Sequence, residues 1–271
     1  MRTTDDRADR RFDDDPLTPA ALGAVAQVFV ADLDALVVSP DDERHLASVL
    51  RLRPGETVVA SDGAGRWRAC RFTGTAARVG PRSPVLEPDG PVMTSTRVEP
   101  EVTVAFVPVK GERPEWVVQK LTESGVDRIV VLESLRAVVR WDGDRRVRAL
   151  ERLRRVAREA AAQSRRSWLP DVVGVAGLDD LSRRVAPLPL ALAQLGGEPP
   201  SVSTPAMAVG PEGGWDSSEI NGHPLVSLGP NVLRAETAAV SAGLLLCALR
   251  EGLVTPSPGL GHRRSPGSDN R

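Results

Sequence analysis

Cysteine occurs only twice in the 271 residues, at Cys70 and Cys247. The two lie far apart in apolar contexts, so buried free thiols are expected and a disulfide scaffold is excluded. No window approaches the run of about 18 apolar residues that a membrane-spanning helix needs. The first residues, Met1 to Pro16, mix Asp and Arg with almost nothing apolar and lack the hydrophobic core of a signal peptide, so a cytoplasmic protein without membrane contact is expected. Neither sign of charge dominates, with 35 Lys+Arg against 36 Asp+Glu, which argues against wholesale nucleic-acid binding. Lysine is nearly missing: Lys110 and Lys120 leave 33 of the 35 basic groups to arginine, the better phosphate fork wherever contact is made. The chain also lacks a G-x-G-x-x-G after the first strand of its α/β part, a P-loop and a metal-ligand cluster, and His45, His223 and His262 are scattered. A Rossmann enzyme, an NTPase and a metal enzyme are thereby disfavoured.

What is present fits a soluble globular protein of two domains, with 41% apolar and 26% charged residues. Polar or Pro/Gly-rich tails at 1–16 and 254–271 are expected to be disordered. Residues 17–90 read as a small β-barrel, with strands at 25–30, 57–60, 67–72 and 76–79 and one helix starting at Ser39-Pro40. A Pro-rich stretch at 81–100 reads as a linker. Residues 91–253 alternate strand and helix, the signature of a parallel α/β sheet. Strands are expected at 102–107, 128–132, 188–192, 206–209 and 225–228, and helices at 112–124, 144–165 and 236–249. The last helix is apolar on nearly every side, which predicts burial within the domain or against another subunit.

Two constellations carry chemistry. The first is a series of glycine-bearing strand ends: Leu195-Gly196-Gly197, Gly210-Pro211-Glu212-Gly213-Gly214 and Leu228-Gly229-Pro230. A lone example is an ordinary turn, but three together form one rim, and ligands of open α/β sheets bind at the carboxyl ends of strands. The second is the segment from Arg136 to Trp168, which holds 11 Arg against four acids. A solvated face is the commoner meaning of such a run. Arg154, Arg158 and Arg165 nevertheless share one helical face and are read as forks for RNA phosphates. Arg44, Arg51 and Arg53, with His45, form a second basic group.

The ordered motifs His45-Leu46-Ala47-Ser48-Val49-Leu50-Arg51, Gln119-Lys120-Leu121-Thr122-Glu123, Arg136 with Arg140, Glu159-Ala160-Ala161-Ala162-Gln163-Ser164-Arg165-Arg166, Gly-Pro-Glu-Gly-Gly and Leu233-Arg234-Ala235-Glu236-Thr237 resemble the RsmE-type 16S rRNA uridine-N(3) methyltransferases of the SPOUT superfamily. The resemblance spans about residues 20–252. Ser124, Asn231 and Ala235 depart from the family pattern. It implies a PUA-like β-barrel followed by a SPOUT-type α/β domain with a C-terminal trefoil knot, S-adenosylmethionine bent into the knot, and a homodimer acting on 16S rRNA of the small ribosomal subunit. Cofactor contacts are then expected from Leu192, Gly196, Gly210, Pro211, Glu212, Gly213, Leu228, Gly229 and Leu233. RNA contacts are expected from His45, Arg51, Arg140, Arg158, Arg165 and Arg166. Arg234, with Arg136 second, is the candidate to stabilise an anionic uracil. Glu236 is either the proton acceptor or a negative residue favouring the helix dipole, and Glu212 either braces its loop or binds the cofactor. Methylation of another RNA by the same fold, or RNA binding without catalysis, remain the rival readings.

Overall fold

The computed structural model describes residues 18–74, 85–108, 113–220 and 222–255. The expected strand at 76–79 and the tails at 1–16 and beyond 255 lie outside the described residues.

The N-terminal unit is a five-stranded sheet. Strand β1 (Ala26–Phe29) runs parallel to β2 (Thr57–Ser61), and β2 pairs antiparallel with β3 (Arg66–Phe72). The β2–β3 turn is set by the Asp62 carboxylate, which accepts from the Ala64 and Arg66 amides at 2.7 and 3.0 Å. Helix α1 (Pro40–Arg44) begins where the sequence places it, with the Ser39 hydroxyl accepting from the Asp42 amide at 3.1 Å. It widens at His45–Val49 into a turn closed by Leu50 N–H to His45 C=O at 2.9 Å. Leu46, Val58, Phe72 and Leu86 are buried between helix and sheet.

The stretch read as a linker is partly sheet. Strands β4 (Leu86–Pro88) and β5 (Met93–Thr94) both pair with β3. Proline is tolerated in such short edge strands, where its missing N–H interrupts no ladder, so the proline count misled.

The C-terminal unit is a parallel sheet of six strands in the order β11-β9-β10-β6-β7-β8. These are β6 (Thr103–Phe106), β7 (Arg128–Leu132), β8 (Asp171–Val175), β9 (Leu190–Glu198), β10 (Ala206–Val209) and β11 (Leu225–Val226). Both faces of a parallel sheet must be covered. Helices α2 (Arg113–Glu123), α3 (Gly143–Gln163) and α6 (Ala235–Arg250) pack on one face around Val104, Leu121, Leu153 and Leu246. Helices α4 (Leu178–Val185) and α5 (Ser217–Ile220) cover the other, with Leu181 and Trp215 in its core. Strand β8 and helices α4 and α5 escaped the sequence reading because each is short and β8 carries Gly174. That glycine lies where an added Cβ would come within 3.1 Å of the Arg146 guanidinium and 3.2 Å of Leu150.

Two buried features fix this frame. Gly243 of α6 sits so close to α2 that an added Cβ would lie 2.5 Å from Leu121 and 2.9 Å from Val126. At the end of α6, Arg250 pairs with Asp127, whose carboxylate also accepts from the Val102 amide at 2.9 Å and faces Arg166 at 3.9 Å. Burial pulls the Arg166 guanidinium below its ordinary pKa; at Arg250 burial acts the same way, but the charges of Asp127, Cys247 and Glu251 and the Asp127 hydrogen bond together outweigh it and raise the pKa.

The two units meet along the end of α3. Arg158 donates to the Phe29 carbonyl at 2.8 Å and stacks on the Phe29 ring at 5.0 Å. Arg165 donates to the Ala24 carbonyl at 3.2 Å, and Gln27 donates to the Arg166 carbonyl at 2.7 Å.

Both cysteines are free and buried, and burial pushes each thiol from an ordinary 9.0 up to about 11. The folded state therefore holds protons that the unfolded chain has released between these values. The stability this contributes is complete below 9.0 and is lost as pH rises towards 11. Denaturant titrations across that interval should show falling stability, and Cys70→Ser with Cys247→Ser should flatten the fall.

Candidate active site

The carboxyl ends of β9, β10 and β11 converge on one cleft of about 220 Å³. Three loops wall it. The first is not the simple turn expected at Gly196-Gly197. Strand β9 continues to Glu198, and its residues 193–197 bulge between the consecutive pairs Leu192–Leu225 and Glu198–Val226. Ala193, Gln194 and Leu195 of that bulge line the cleft. Leu192 does not: it is fully buried in the core beneath. Gly196 adopts φ +82° and lies outside the lining. Gly197 is where the bulge packs tightest on its neighbour, since an added Cβ would lie 2.6 Å from the Leu225 and Val226 backbone. Both residues follow from the same bulge, which moves the contact one to three positions along from Leu192.

The second loop places Gly210, Pro211, Glu212 and Gly214 in the lining, while Gly213 stands just behind it. Trp215 ties this loop to the first by donating its indole N–H to the Ala193 carbonyl at 3.3 Å. Its ring lies so close to Gly210 that a Cβ there would stand 2.9 Å from it. Gly210 is thus required for the tryptophan, and the tryptophan for the spacing of the two loops. The third loop contributes Leu228, Gly229, Asn231, Val232 and Leu233, and the first turn of α6 adds Ala235 and Ala238. Gly229 takes φ +136°, which residues with a Cβ rarely adopt.

Arg234 caps α6 from the exposed side of the third loop, between the lining residues Leu233 and Ala235. Its guanidinium has no hydrogen bond or ion pair among the described residues. Glu236, in the first turn of α6, is largely buried; one oxygen faces Arg113 at 3.4 Å and the other has no partner among the described residues. Arg136 reaches across from the segment after β7. It donates to the Gly213 carbonyl at 3.3 Å and to the Asp216 carboxylate at 3.2 Å. Bonds from the Ser218 amide and hydroxyl, then the charge of Arg136, hold the Asp216 carboxyl below its usual range.

Sequence reasoning missed Glu219, whose carboxylate accepts from the Leu135 amide at 3.1 Å, the Ser134 hydroxyl at 3.3 Å and the Asp216 amide at 2.9 Å. The last bond closes a helix-start box with Asp216 as its cap, a signal present in Asp216-Ser217-Ser218-Glu219. Glu219 thereby locks the Arg136 segment to the glycine loop. Glu219→Ala should weaken binding of both the methyl donor and the RNA that the sequence resemblance implies, each by about tenfold for about 1.4 kcal/mol of lost anchoring. Calorimetry with each ligand checks this, and a loss confined to one would show the two segments to be independent.

The expected RNA residues divide. His45, Arg51 and Arg140 are exposed, Arg51 with φ +55°. Arg158 and Arg165 are instead spent on carbonyls of the N-terminal unit, and Arg165 also donates to the Ala162 carbonyl at 2.7 Å. Arg166, its side chain only 14% exposed, donates to the Thr122 and Val126 carbonyls at 2.8 and 2.9 Å. Even Arg154 turns to the Val172 carbonyl at 3.0 Å. The face that spacing alone had aimed at phosphates holds the fold together.

This arrangement of parallel sheet, bulged strand and glycine cleft is that of an RNA methyltransferase domain, whose family model matches residues 97–246; a model of the RNA methyltransferase PUA domain matches 39–77. The fold is shared with a probable rRNA methyltransferase from Porphyromonas gingivalis, at TM-score 0.71 and 24% identity over 85% of this chain and 100% of that one. A Legionella pneumophila methyltransferase, solved with bound S-adenosylmethionine, aligns at TM-score 0.64 and 27% identity over 78% of this chain and 90% of that one. The ribosomal RNA small subunit methyltransferase E of Mycobacterium bovis is 36% identical over 76% of this chain and 83% of that protein. The chain belongs to the ribosomal RNA small subunit methyltransferase E family.

Proposed function

We propose that the protein transfers a methyl group from S-adenosylmethionine to ring nitrogen N3 of a uridine in 16S rRNA, acting as a cytoplasmic homodimer on the small ribosomal subunit. The observation that carries this reading is the cleft at the sheet's carboxyl edge, walled by three loops with an exposed arginine at its rim. The fit to the donor is chemical: Ala193, Leu195, Val209 and Leu228 offer apolar walls for a flat base, and the glycine loops offer main-chain groups to its polar edge. Pro211, Glu212, Gly229 and Leu233 complete the contacts, while Gly213 acts from behind through Arg136.

Bound there, S-adenosylmethionine supplies an electrophilic methyl carbon. The chain must make N3 a nucleophile, and N3 carries a proton between two carbonyls. Arg234, exposed at the rim until substrate covers it, stabilises the anion left when that proton departs. Glu236 accepts the proton, directly or through water, on the oxygen that has no partner among the described residues. Arg136 holds the second loop in place and reaches substrate from the opposite side.

We assign residues 17–90 to RNA capture and 91–253 to transfer. A trefoil knot in the second unit is supported by β9 lying between β10 and β11 and by the close backbone approach of Gly197 to β11. The homodimer is supported by α6, whose middle is apolar on nearly every side yet leaves Leu244 57% exposed.

Mass spectrometry of 16S rRNA nucleosides tests the whole reading. Deletion of the gene should remove 3-methyluridine and the intact gene should restore it; 3-methyluridine unchanged in the deletion strain would reject the assignment.

A further inference from the structure

The arginines of α3 that hold the fold together leave another set unexplained. Arg145, Arg148, Arg152 and Arg155 are all exposed. At 100° per residue they fall within an arc of about 80°, on the side of α3 away from the buried Leu153, Ala157 and Ala160. Arg152 pairs with Glu115 of α2. The other three make no hydrogen bond or ion pair among the described residues. Opposite charge is sparse here: Asp144 opens the face, Glu159 closes it and Glu151 flanks it.

Where this face runs gives it meaning. The first turn of α3 is tied to the sheet's carboxyl edge, because Arg146 pairs at 2.8 Å with Glu133, the residue after β7. The far end of α3 lies against the N-terminal unit through Arg158 and Phe29. The exposed arginines therefore line a path from the barrel side to the rim that holds Arg136 and Arg140. From Arg145 to Arg155 the path is about 15 Å long, with the three free guanidiniums rooted about 4.5 and 10.5 Å apart along the axis, a span that several successive phosphates of a strand would cover.

We propose that this face of α3 is a track for the sugar-phosphate backbone of the RNA, leading the strand from the N-terminal unit to the cleft. The inference rests on the reading of the protein as an RNA methyltransferase. It assigns the contact to Arg145, Arg148 and Arg155, in place of Arg158, Arg165 and Arg166. Contacts of this kind give affinity and position without sequence preference, which the residues at the cleft must add.

The test is a salt titration of binding between the full-length protein and a 16S rRNA transcript. The triple variant Arg145→Gln, Arg148→Gln, Arg155→Gln should flatten the dependence of log affinity on log KCl by about 2–3, from roughly 0.7–0.9 for each phosphate no longer neutralised. Its melting temperature and its affinity for S-adenosylmethionine should match the wild type. Arg183→Gln with Arg184→Gln, a charge change on α4 across the sheet, should leave the slope where it was. A triple variant with the wild-type slope, or an α4 variant with the same flattening, would overturn the track. A correct slope change in a protein that makes no 3-methyluridine would instead uphold the track and reject the assigned reaction.

Discussion

Arg234→Ala is expected to lower the rate of methyl transfer about 10²–10³-fold, with the fold and the affinity for S-adenosylmethionine kept. The size follows from the role proposed for Arg234: removing one charged donor to a developing anion costs about 3–4 kcal/mol of transition-state stabilisation once bound substrate has covered the rim. Retention of the fold follows from position: the side chain is exposed, contributes no side-chain cap to α6 and has no partner among the described residues. Single-turnover transfer to 16S rRNA gives the rate and calorimetry the cofactor affinity. A variant that still turns over at the wild-type rate would take Arg234 out of the chemistry and leave Arg136 as the cationic candidate. Raising the pH should partly rescue Arg234→Ala, because the uracil then loses its proton with less help.

The second large effect concerns stability. Asp127→Ala should cost about 3–5 kcal/mol, because it leaves the Arg166 guanidinium with no carboxylate partner among the described residues and Arg250 with only the half-exposed Glu251 at 3.2 Å. The side chains of Arg250, Asp127 and Arg166 are only 6%, 7% and 14% exposed, so water cannot replace the missing partner. The variant also removes the acceptor for the Val102 amide just before β6. The expected damage reaches the cleft, since α6 is anchored by Arg250 at one end and carries Ala235 and Ala238 into the lining at the other. Denaturant unfolding reads the loss. A change below about 1 kcal/mol would mean that the pair is solvated in solution and does not anchor α6.

Much of the fold was legible because parallel strands buried on both faces announce themselves as apolar runs. Arg128–Leu132 and Ala206–Val209 were found to the residue, and the Ser39 cap marked α1. The cleft was legible from its glycines, yet two of its expected contacts moved. Leu192 and Gly196 fall outside the cleft lining because of a bulge, which depends on how β9 meets β11 across the sheet and leaves no periodic trace in the sequence. Arginines gave the hardest case. Spacing puts Arg154, Arg158 and Arg165 on one face of a helix, but whether that face meets water or carbonyls depends on the unit docked against it. Only the tertiary structure shows that Phe29, Ala24 and Val172 take those guanidiniums, and that the neighbouring face with Arg145, Arg148 and Arg155 is the open one. Trp215 and Glu219 were overlooked for the same reason, as their work is done on residues distant in sequence, Ala193 and Leu135.

The central claim, that the three glycine-bearing loops grip the methyl donor, is met most directly by titrating S-adenosylmethionine into the wild-type protein and into Gly210→Val. The wild type should bind one donor per chain, and the variant, whose new side chain displaces the Trp215 ring from 2.9 Å away, should lose most of that affinity while remaining folded. Absence of binding heat in the wild type, or unchanged affinity in a folded Gly210→Val, would contradict the account.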